Sequence, residues 1–275
     1  MSSFTILVEL SHIRNPIISD KEKILSFCQN TFSWGDYIEE VYDFWITEGE
    51  LAILEENNTP IGMCHGVPYI DEGMIWIEGI RVRDDYRRNG FAEKMVQHIE
   101  RNAKNSGIKH ASMIIESGNK PSLNLAEKIG YSTQKRWNYF SLVAKKNPIN
   151  VEFDHVTFDE LNHRLMHYVD SWRWIPITRL NFEGLASKND ILCIKNNEEI
   201  QSLGIISETI SFNDTIILTI IFGVDDDVKR MIHHVQNFAA EKNYTKIRIL
   251  TEQDSLPSID DLGEKFSFYL LKKNL

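Results

Sequence analysis

Hydrophobic and polar residues follow two successive series of strand and helix patterns along the chain. Apolar runs of strand type begin at Leu51 (LAILEENNTPIG) and at Ile191 (ILCIKNNEEIQSLG), and an Asn-Asn turn interrupts each of them. Amphipathic helix patterns begin at Met95 and at Met231, and a β-rich segment follows each helix. The pattern predicts an α/β fold, with helices covering a mixed α+β sheet.

The two series share their order, which predicts two tandem domains. The segment LAEKIGY at Leu125 resembles LGEKFSF at Leu262, and the halves end in LVAKKN and LLKKN. The polar Lys-Lys-Asn-Pro segment then separates the predicted domains 1–146 and 147–275. Between strand and helix the first copy reads RRNGFA, whereas the second reads FGVDDD. Three aspartates in place of a basic turn predict that the second copy is degenerate.

Composition and charge exclude several classes of protein. The chain has 275 residues, of which 42% are hydrophobic and 25% charged, as expected of a globular protein. The net charge of -10 disfavours nucleic acid as a partner. Neither a signal peptide nor an apolar stretch of membrane-spanning length is found, so we expect a cytoplasmic protein that does not associate with membranes. Cys28, Cys64 and Cys193 lack metal-ligand spacing, so we expect buried thiols and no metal site.

Acidic and basic residues are separated along the first half of the chain. The stretch from Ile24 to Ile80 has eleven acidic residues and no lysine or arginine. From Arg81 to Lys109 there are eight basic residues and four acidic ones. Either these are ordinary solvated faces, or one side of the protein attracts a cation and another an anion.

The segment IWIEGIRVRDDYRRNGFAEKM contains the chemistry that the sequence predicts most clearly. Its first residues predict a strand that ends near Val82, and Gly90 then begins a helix. The first N–H groups of a helix have no intrahelical partner and carry partial positive charge. A glycine at that point lets a phosphate approach the backbone, and Arg87 and Arg88 add positive charge. The segment is therefore suited to a pyrophosphate.

Here the sequence resembles the GNAT superfamily of N-acetyltransferases. The superfamily signature Arg/Gln-x-x-Gly-x-Gly/Ala is matched by RRNGFA, and NKPSLNLAEKIGY at Asn119 resembles a second superfamily segment. The resemblance covers about Leu51 to Tyr131 and implies direct acetyl transfer from acetyl-CoA to an amine. The two-domain layout also resembles the tandem proteins related to histidine N-acetyltransferase, which suggests an amino acid or small amine as acceptor.

The resemblance implies a role for individual positions. Glu78 would act as the general base, or else would only pair with a nearby arginine. The residues implied to bind the cofactor are Ile80, Arg81 and Val82 for the pantetheine arm, Arg87, Arg88, Asn89, Gly90, Phe91 and Ala92 for the pyrophosphate, and Asn119 and Ser122 near the thioester.

One departure from the superfamily affects the expected chemistry. Many members have a tyrosine general acid in the second segment, and Ala126 stands at that position. Another group or water would then protonate the thiolate. The alternative is a catalytically inactive protein that binds or senses acyl-CoA.

The acceptor is expected near aromatic and acidic residues of both halves. In the superfamily the region before the first sheet strands overhangs the acceptor site, which makes Trp34, Asp36, Tyr37 and Glu40 candidates. Trp172 and Trp174 of the second half could face the same cleft, on a segment that Pro176 marks as a loop. The acid-rich stretch favours a small amine acceptor, one whose surroundings are not strongly anionic.

Overall fold

The computed structural model describes residues 11–29, 31, 36–149, 151–161, 166–209, 212–263 and 265–275. The chain forms two compact units. Unit 1 contains the described part of Met1–Met113 with Glu127–Tyr131 and Lys272–Leu275, and unit 2 contains the described part of Ile114–Ala126 and Ser132–Leu271. The predicted domain boundary at 146 and 147 stays a prediction.

Unit 1 is built on strands β1 to β5, with three helices. In chain order its elements are β1 (Ser11–Arg14), α1 (Asp20–Cys28), α2 (Ile38–Trp45), β2 (Glu50–Glu56), β3 (Thr59–Tyr69), β4 (Met74–Val82), α3 (Phe91–Asn105) and β5 (His110–Glu116). The strands lie in the order β1-β2-β3-β4-β5. The first three neighbouring pairs are antiparallel, and β4 with β5 is parallel.

Apolar spacing explains why the helices of unit 1 pack where they do. Met95, Val96, Ile99 and Ala103 recur on one side of α3 and are all buried. On α1 and α2 the buried positions are similarly spaced and pack with residues of β2 and β3 into one cluster, formed by Ile24, Cys28, Ile38, Val41, Tyr42, Trp45, Leu51, Ile53 and Met63.

Unit 2 repeats this order of strand directions. Its further elements are α4 (Lys120–Lys128), which extends to the border with unit 1, β6 (Ser132–Val143), β7 (His167–Asp170), β8 (Arg173–Pro176), α5 (Arg179–Ser187), β9 (Ile191–Asn196), β10 (Glu199–Glu208), β11 (Thr215–Phe222), α6 (Asp225–Glu241), β12 (Lys246–Thr251) and β13 (Lys265–Asn274). Strands β9, β10 and β11 pair antiparallel, and β11 pairs parallel with β12. In unit 1, β2, β3 and β4 likewise pair antiparallel, and β4 pairs parallel with β5.

The sequence patterns are confirmed for the fold class and for most elements. The mixed sheet with covering helices is present, and β4 ends at Val82 as expected. The three cysteines are free and buried. The expected loop at Trp172 to Pro176 is wrong, because Arg173–Pro176 form strand β8 of a hairpin with β7. Among the described residues, no helix has the length and apolar character needed to cross a membrane.

Candidate active site

Strand β4 contains a bulge at the centre of unit 1. Opposite β3, Glu78 pairs with His65 and Arg81 pairs with Met63, so Gly79 and Ile80 together face the single residue Cys64. Gly79 has a φ of +62°, and a Cβ there would lie 2.3 Å from the indole of Trp45. Only glycine fits this combination of left-handed backbone and close approach. The bulge therefore depends on Gly79 and sets the direction of Glu78 and Arg81.

Glu78 and His65 form a hydrogen-bonded pair at the start of this bulge. His65 Nδ1 lies 3.0 Å from Glu78 Oε1, and His65 Nε2 lies 2.6 Å from the carbonyl oxygen of Glu48. Because a carbonyl oxygen only accepts, Nε2 must carry a hydrogen. A neutral ring then has a bare Nδ1, which cannot bond to a bare carboxylate. The pair therefore holds one proton between Nδ1 and Oε1, on the ring or on the carboxyl group.

Aromatic residues fix the positions of both partners. The His65 ring is fully buried and stacks on Trp45, with 4.4 Å between ring centroids and 15° between planes. Trp76 Nε1 donates to Glu78 Oε2 at 3.1 Å. The Glu78 side chain keeps 13% of its surface exposed, so it remains accessible from one side. A carboxylate that is fixed in position and partly exposed is suited to accept a proton, as a general base requires.

Asp36 and Arg81 form a buried ion pair beside the bulge. Arg81 Nε and Nη2 donate to the two carboxylate oxygens of Asp36 at 2.7 and 2.9 Å. Burial opposes the charge on Arg81, but the hydrogen bonds to Asp36 outweigh it and raise the pKa of Arg81. The Tyr37 ring lies over the guanidinium, with 5.4 Å to its centroid, and burial raises the pKa of Tyr37 to about 12. Asp36 thus carries a compensated charge, and the Arg81 side chain is held between Asp36 and the backbone carbonyl of Ile80.

The edge of β4 beyond the bulge is not paired with β5 in the described part of unit 1. The pairing of the two strands runs from Met74 with His110 to Trp76 with Ser112. The side chains of Arg81 and Arg87 donate to the carbonyl groups of Ile80 and Val82, at 3.1 Å each. The predicted pantetheine contacts of Ile80, Arg81 and Val82 would involve this edge, and they stay predictions.

The segment between β4 and α3 has the geometry of an anion-binding loop. Arg88 and Gly90 both adopt left-handed backbone, with φ of +66° and +78°. Gly90 precedes the first residue of α3, Phe91, and no side chain caps the helix. The N–H groups of its first turn, which include that of Ala92, are thus left for an external acceptor. A Cβ on Gly90 would meet no atom within 4 Å, so the space above the loop is open.

The side chains of this loop are exposed and partly engaged with one another. Arg87 pairs with Asp84 at 2.6 Å, and Arg83 pairs with Asp85 and lies over the ring of Tyr86. The Asn89 side chain donates to the carbonyl of Tyr86 at 3.2 Å and so braces the turn. Arg88 is exposed. The residues predicted to bind the pyrophosphate, Arg87–Ala92, therefore lie together in one loop. Because several of their side chains are engaged with one another, the backbone N–H groups are the donors most directly available to an anion.

The corresponding segment of unit 2 has different chemistry. Eight residues separate β4 from α3, whereas Gly223 and Val224 alone separate β11 from α6. Helix α6 begins with Asp225, Asp226 and Asp227, which place negative charge at its N-terminus. An anionic ligand would be repelled there.

Two further residues predicted to bind the cofactor lie on α4 or just before it, in unit 2. Asn119 Oδ1 accepts from the backbone N–H of Ser122 at 3.2 Å, so the Asn119 side chain stabilises the start of α4. Ser122 is partly buried, and Ala126 is buried at the position where the superfamily tyrosine was expected. Their roles toward a cofactor stay predictions.

The predicted acceptor residues are placed in separate environments. Trp34 lies outside the described residues. Glu40 is exposed on α2. Trp174 is fully buried and packs edge-on against Trp137, at 5.9 Å between centroids, which is a core position within unit 2. Trp172 is only partly buried. The structure thus favours Trp172 over Trp174 as a residue that a ligand could contact.

Much of the acid-rich stretch is neutralised internally. Asp36, Asp43 and Glu55 pair with Arg81, Lys21 and Arg14, and Glu50 and Glu78 contact His98 and His65. Glu39 and Glu40 are exposed in the first turn of α2. The charge available for steering a ligand is therefore smaller than the sequence count indicates. Within the described part of the chain, no group of His, Cys, Asp or Glu is arranged to hold a metal ion.

Sequence reasoning did not connect three residues of this site with Glu78. His65, Trp45 and Trp76 surround Glu78, although they are separate in sequence. The antiparallel register places His65 directly opposite Glu78. An alternative register would have paired different residues, and nothing in the apolar pattern of β3 selects His65.

Comparison with known proteins finds a family match over part of the chain. Residues 21–131 match the model of the Acetyltransferase (GNAT) family. This range includes Glu78, the bulge and the whole loop before α3. None of the curated proteins compared with the chain matches it.

Solved structures share the fold over nearly the whole length. A GCN5-related N-acetyltransferase from Sphaerobacter thermophilus is 13% identical with a TM-score of 0.66, over 98% of this chain and 96% of that chain. A protein assigned as an acetyltransferase from Thermoplasma acidophilum is 14% identical with a TM-score of 0.63, over 94% of this chain and 97% of that one. A third, from Pyrococcus horikoshii, is 13% identical with a TM-score of 0.55, over 100% and 93%. At this identity the similarity establishes the fold alone.

Proposed function

We propose that the chain is an N-acetyltransferase that moves an acetyl group from acetyl-CoA to a primary amine by direct transfer. The observation that carries this proposal is the loop between β4 and α3, which has left-handed residues at Arg88 and Gly90, an uncapped helix start and a match to the GNAT family. Acetyl-CoA supplies an activated thioester when bound. Its diphosphate is held by the loop from Arg87 to Ala92.

Glu78 is the base of the proposed reaction. An amine that is protonated in water must lose a proton before it attacks a carbonyl carbon. Glu78 accepts that proton, directly or through one water molecule. His65 and Trp76 hold the carboxylate in place through Oε1 and Oε2.

The group that returns a proton to the departing thiolate is water. Ala126 offers no donor where the superfamily resemblance implied a tyrosine. A coenzyme A thiolate is a stable leaving group near neutral pH, since thiols have pKa values of about 8–9. A dedicated acid is therefore dispensable.

Unit 1 contains the one cofactor site of the chain in this proposal, and unit 2 is a degenerate copy. The matching strand directions support a common origin for the units, and the Asp-rich start of α6 opposes binding of a diphosphate there. Calorimetric titration with acetyl-CoA should give one site per chain. Two equivalent sites would contradict the assignment.

The acceptor is a small amine drawn by the exposed acids at the start of α2. Glu39 and Glu40 supply this charge, because Asp36 is already paired with Arg81. Steering by exposed charges weakens as the Debye length falls from about 10 Å at 0.1 M salt to about 3 Å at 1 M. With a diamine as acceptor, kcat/KM should fall with added salt, and Glu39→Gln with Glu40→Gln should remove most of that dependence. Dicarboxylic amino acids as the best acceptors would contradict this assignment.

A second candidate function is binding or sensing of acyl-CoA without turnover. The observation that favours it is Ala126. A protein of this class would bind acetyl-CoA in the same loop and release no free thiol in the presence of amines.

A further inference from the structure

Arg248 of unit 2 has a guanidinium group for which the described residues provide no hydrogen-bond acceptor. It lies on β12, partly buried, and pairs through its backbone with Ile217 and Ser141. Within the part of the chain that the structure describes, its five N–H donors make no hydrogen bond and no ion pair. Burial lowers the pKa of Arg248, and the charges of Tyr139 and Asp214 offset this only in part.

The acid whose charge acts on Arg248, Asp214, has hydrogen-bond partners of its own. Asp214 pairs with Lys246 at 2.9 Å and accepts from the hydroxyl groups of Thr215 and Thr245. These partners lower the pKa of Asp214 to about 2, so its carboxylate stays charged and already has hydrogen-bond donors. Asp214 therefore acts on Arg248 through its charge at a distance, and no hydrogen bond joins the two among the described residues.

Aromatic rings border this charge. The Arg248 guanidinium carbon lies 4.1 Å from the ring centroid of Phe212 and 5.1 Å from that of Trp172. Trp172 in turn meets Tyr139 and Phe268 edge-on, at 5.8 and 6.0 Å between centroids. Trp172, Tyr139 and Phe268 are partly buried, so the cluster is reached from solvent. Ligand sites commonly combine aromatic side chains, which contact the apolar part of a ligand, with a cationic group that binds its charged end.

The hairpin that presents Trp172 has an unfavourable backbone. Asp170 pairs with Arg173, and the two residues between them, Ser171 and Trp172, have φ of +48° and +67°. Such a two-residue turn prefers Asn-Gly, because left-handed backbone is costly for residues with a bulky side chain. A tryptophan at the glycine position persists only where the surrounding structure holds it in place. In this structure the ring covers Arg248.

The geometry points to a ligand site in unit 2 in which Arg248, between Trp172 and Phe212, recognises the carboxylate of a planar or apolar monoanion. The guanidinium fork matches a carboxylate with two parallel hydrogen bonds. One positive charge balances one negative charge, whereas a phosphate dianion would require more cations. The rings hold the uncharged body of the ligand. This inference does not depend on the acetyl transfer proposed for unit 1.

Calorimetric titration of the full chain with phenylacetate tests the site. Phenylacetamide and phenethylamine serve as matched neutral and cationic probes of nearly equal size. Phenylacetate should bind at least about tenfold more tightly than either, because a hydrogen-bonded charge pair is worth about one factor of ten or more. Equal affinity for phenylacetate and phenylacetamide, or no binding of phenylacetate at millimolar concentration, would overturn the inference.

Variants assign the effect to Arg248. Arg248→Met should lower phenylacetate affinity about tenfold or more without changing phenylacetamide binding. Arg179→Met is the matched control, since Arg179 also lies over a ring, that of Phe158, but already pairs with Asp159. Arg248→Lys keeps the positive charge but lacks the planar pair of N–H donors, so it should bind phenylacetate with intermediate affinity. This variant remains informative even if Arg248→Met fails to fold. Unchanged phenylacetate affinity in both Arg248 variants would refute the site.

Discussion

His65 Nδ1 and Glu78 Oε1 lie 3.0 Å apart across the β3–β4 pair, and the carbonyl of Glu48 fixes the tautomer of the ring from its other side. Together these two contacts require a proton between His65 and Glu78. The candidate base is therefore a coupled pair on two strands rather than a lone carboxylate. Its position is set by the glycine bulge that directly follows Glu78.

Glu78→Gln should lower turnover while leaving acetyl-CoA affinity nearly unchanged. Loss of a positioned base costs about 10²–10⁴-fold in rate. The loss should shrink at high pH, where more of the acceptor amine is already neutral. Glu50→Gln is the matched control, because Glu50 also contacts a histidine, His98 at 3.1 Å, in the same unit. Normal turnover of Glu78→Gln at neutral pH would remove Glu78 from the mechanism.

His65→Gln tests the positioning role of the imidazole. Removing one hydrogen bond to a charged group costs about 1.5–3 kcal/mol, which corresponds to a fall in kcat of about tenfold or more. The KM for acetyl-CoA should change little, because the imidazole acts through Glu78 and not on the cofactor. The control variant His98→Gln should alter neither kcat nor the KM for acetyl-CoA. A variant that loses stability but keeps the wild-type kcat would reduce His65 to a packing residue.

How far the sequence predicts this site depends on how local each part of it is. The loop from Arg87 to Ala92 is contiguous, so its basic residues, its glycine and the following helix could be predicted together. The pairing of His65 with Glu78 depends on strand register, and the pairing of Asp36 with Arg81 joins residues 45 positions apart. Such contacts are selected by tertiary packing, which the local pattern of either segment does not contain. For the same reason Trp174 was predicted to bind a ligand although it is fully buried.

Gly90→Glu should abolish acetyl-CoA binding, because a carboxylate would enter the anion site and L-residues disfavour a φ of +78°. Gly107→Glu is a closely matched control. Gly107 has a φ of +85° and, like Gly90, no atom within 4 Å of an added Cβ, but it lies beyond the opposite end of α3. The control should share the backbone strain and keep cofactor affinity. Micromolar affinity retained in Gly90→Glu, measured by calorimetry, would count against the loop.

Asp36→Asn should destabilise the protein rather than act mainly on the acceptor. The side chains of Asp36 and Arg81 are 3% and 9% exposed, so the substitution leaves a buried guanidinium partly unpaired. Breaking a buried pair costs about 3–5 kcal/mol in free energy of unfolding. Asp43→Asn removes an exposed partner of Lys21, where the cost should be below about 1 kcal/mol. Denaturant unfolding compares the two, and equal stability of both variants would show that the Asp36 pair is not essential.

The central claim is that unit 1 transfers acetyl groups to amines, and release of free coenzyme A thiol measures this directly. The full chain is mixed with acetyl-CoA and a panel of small amines, and thiol is followed with a chromogenic disulfide. We expect thiol release that requires an amine, equals the acetylated amine formed and is lost in Gly90→Glu. Saturable binding of acetyl-CoA without amine-dependent thiol release from any member of the panel would contradict the claim and favour an acyl-CoA sensor.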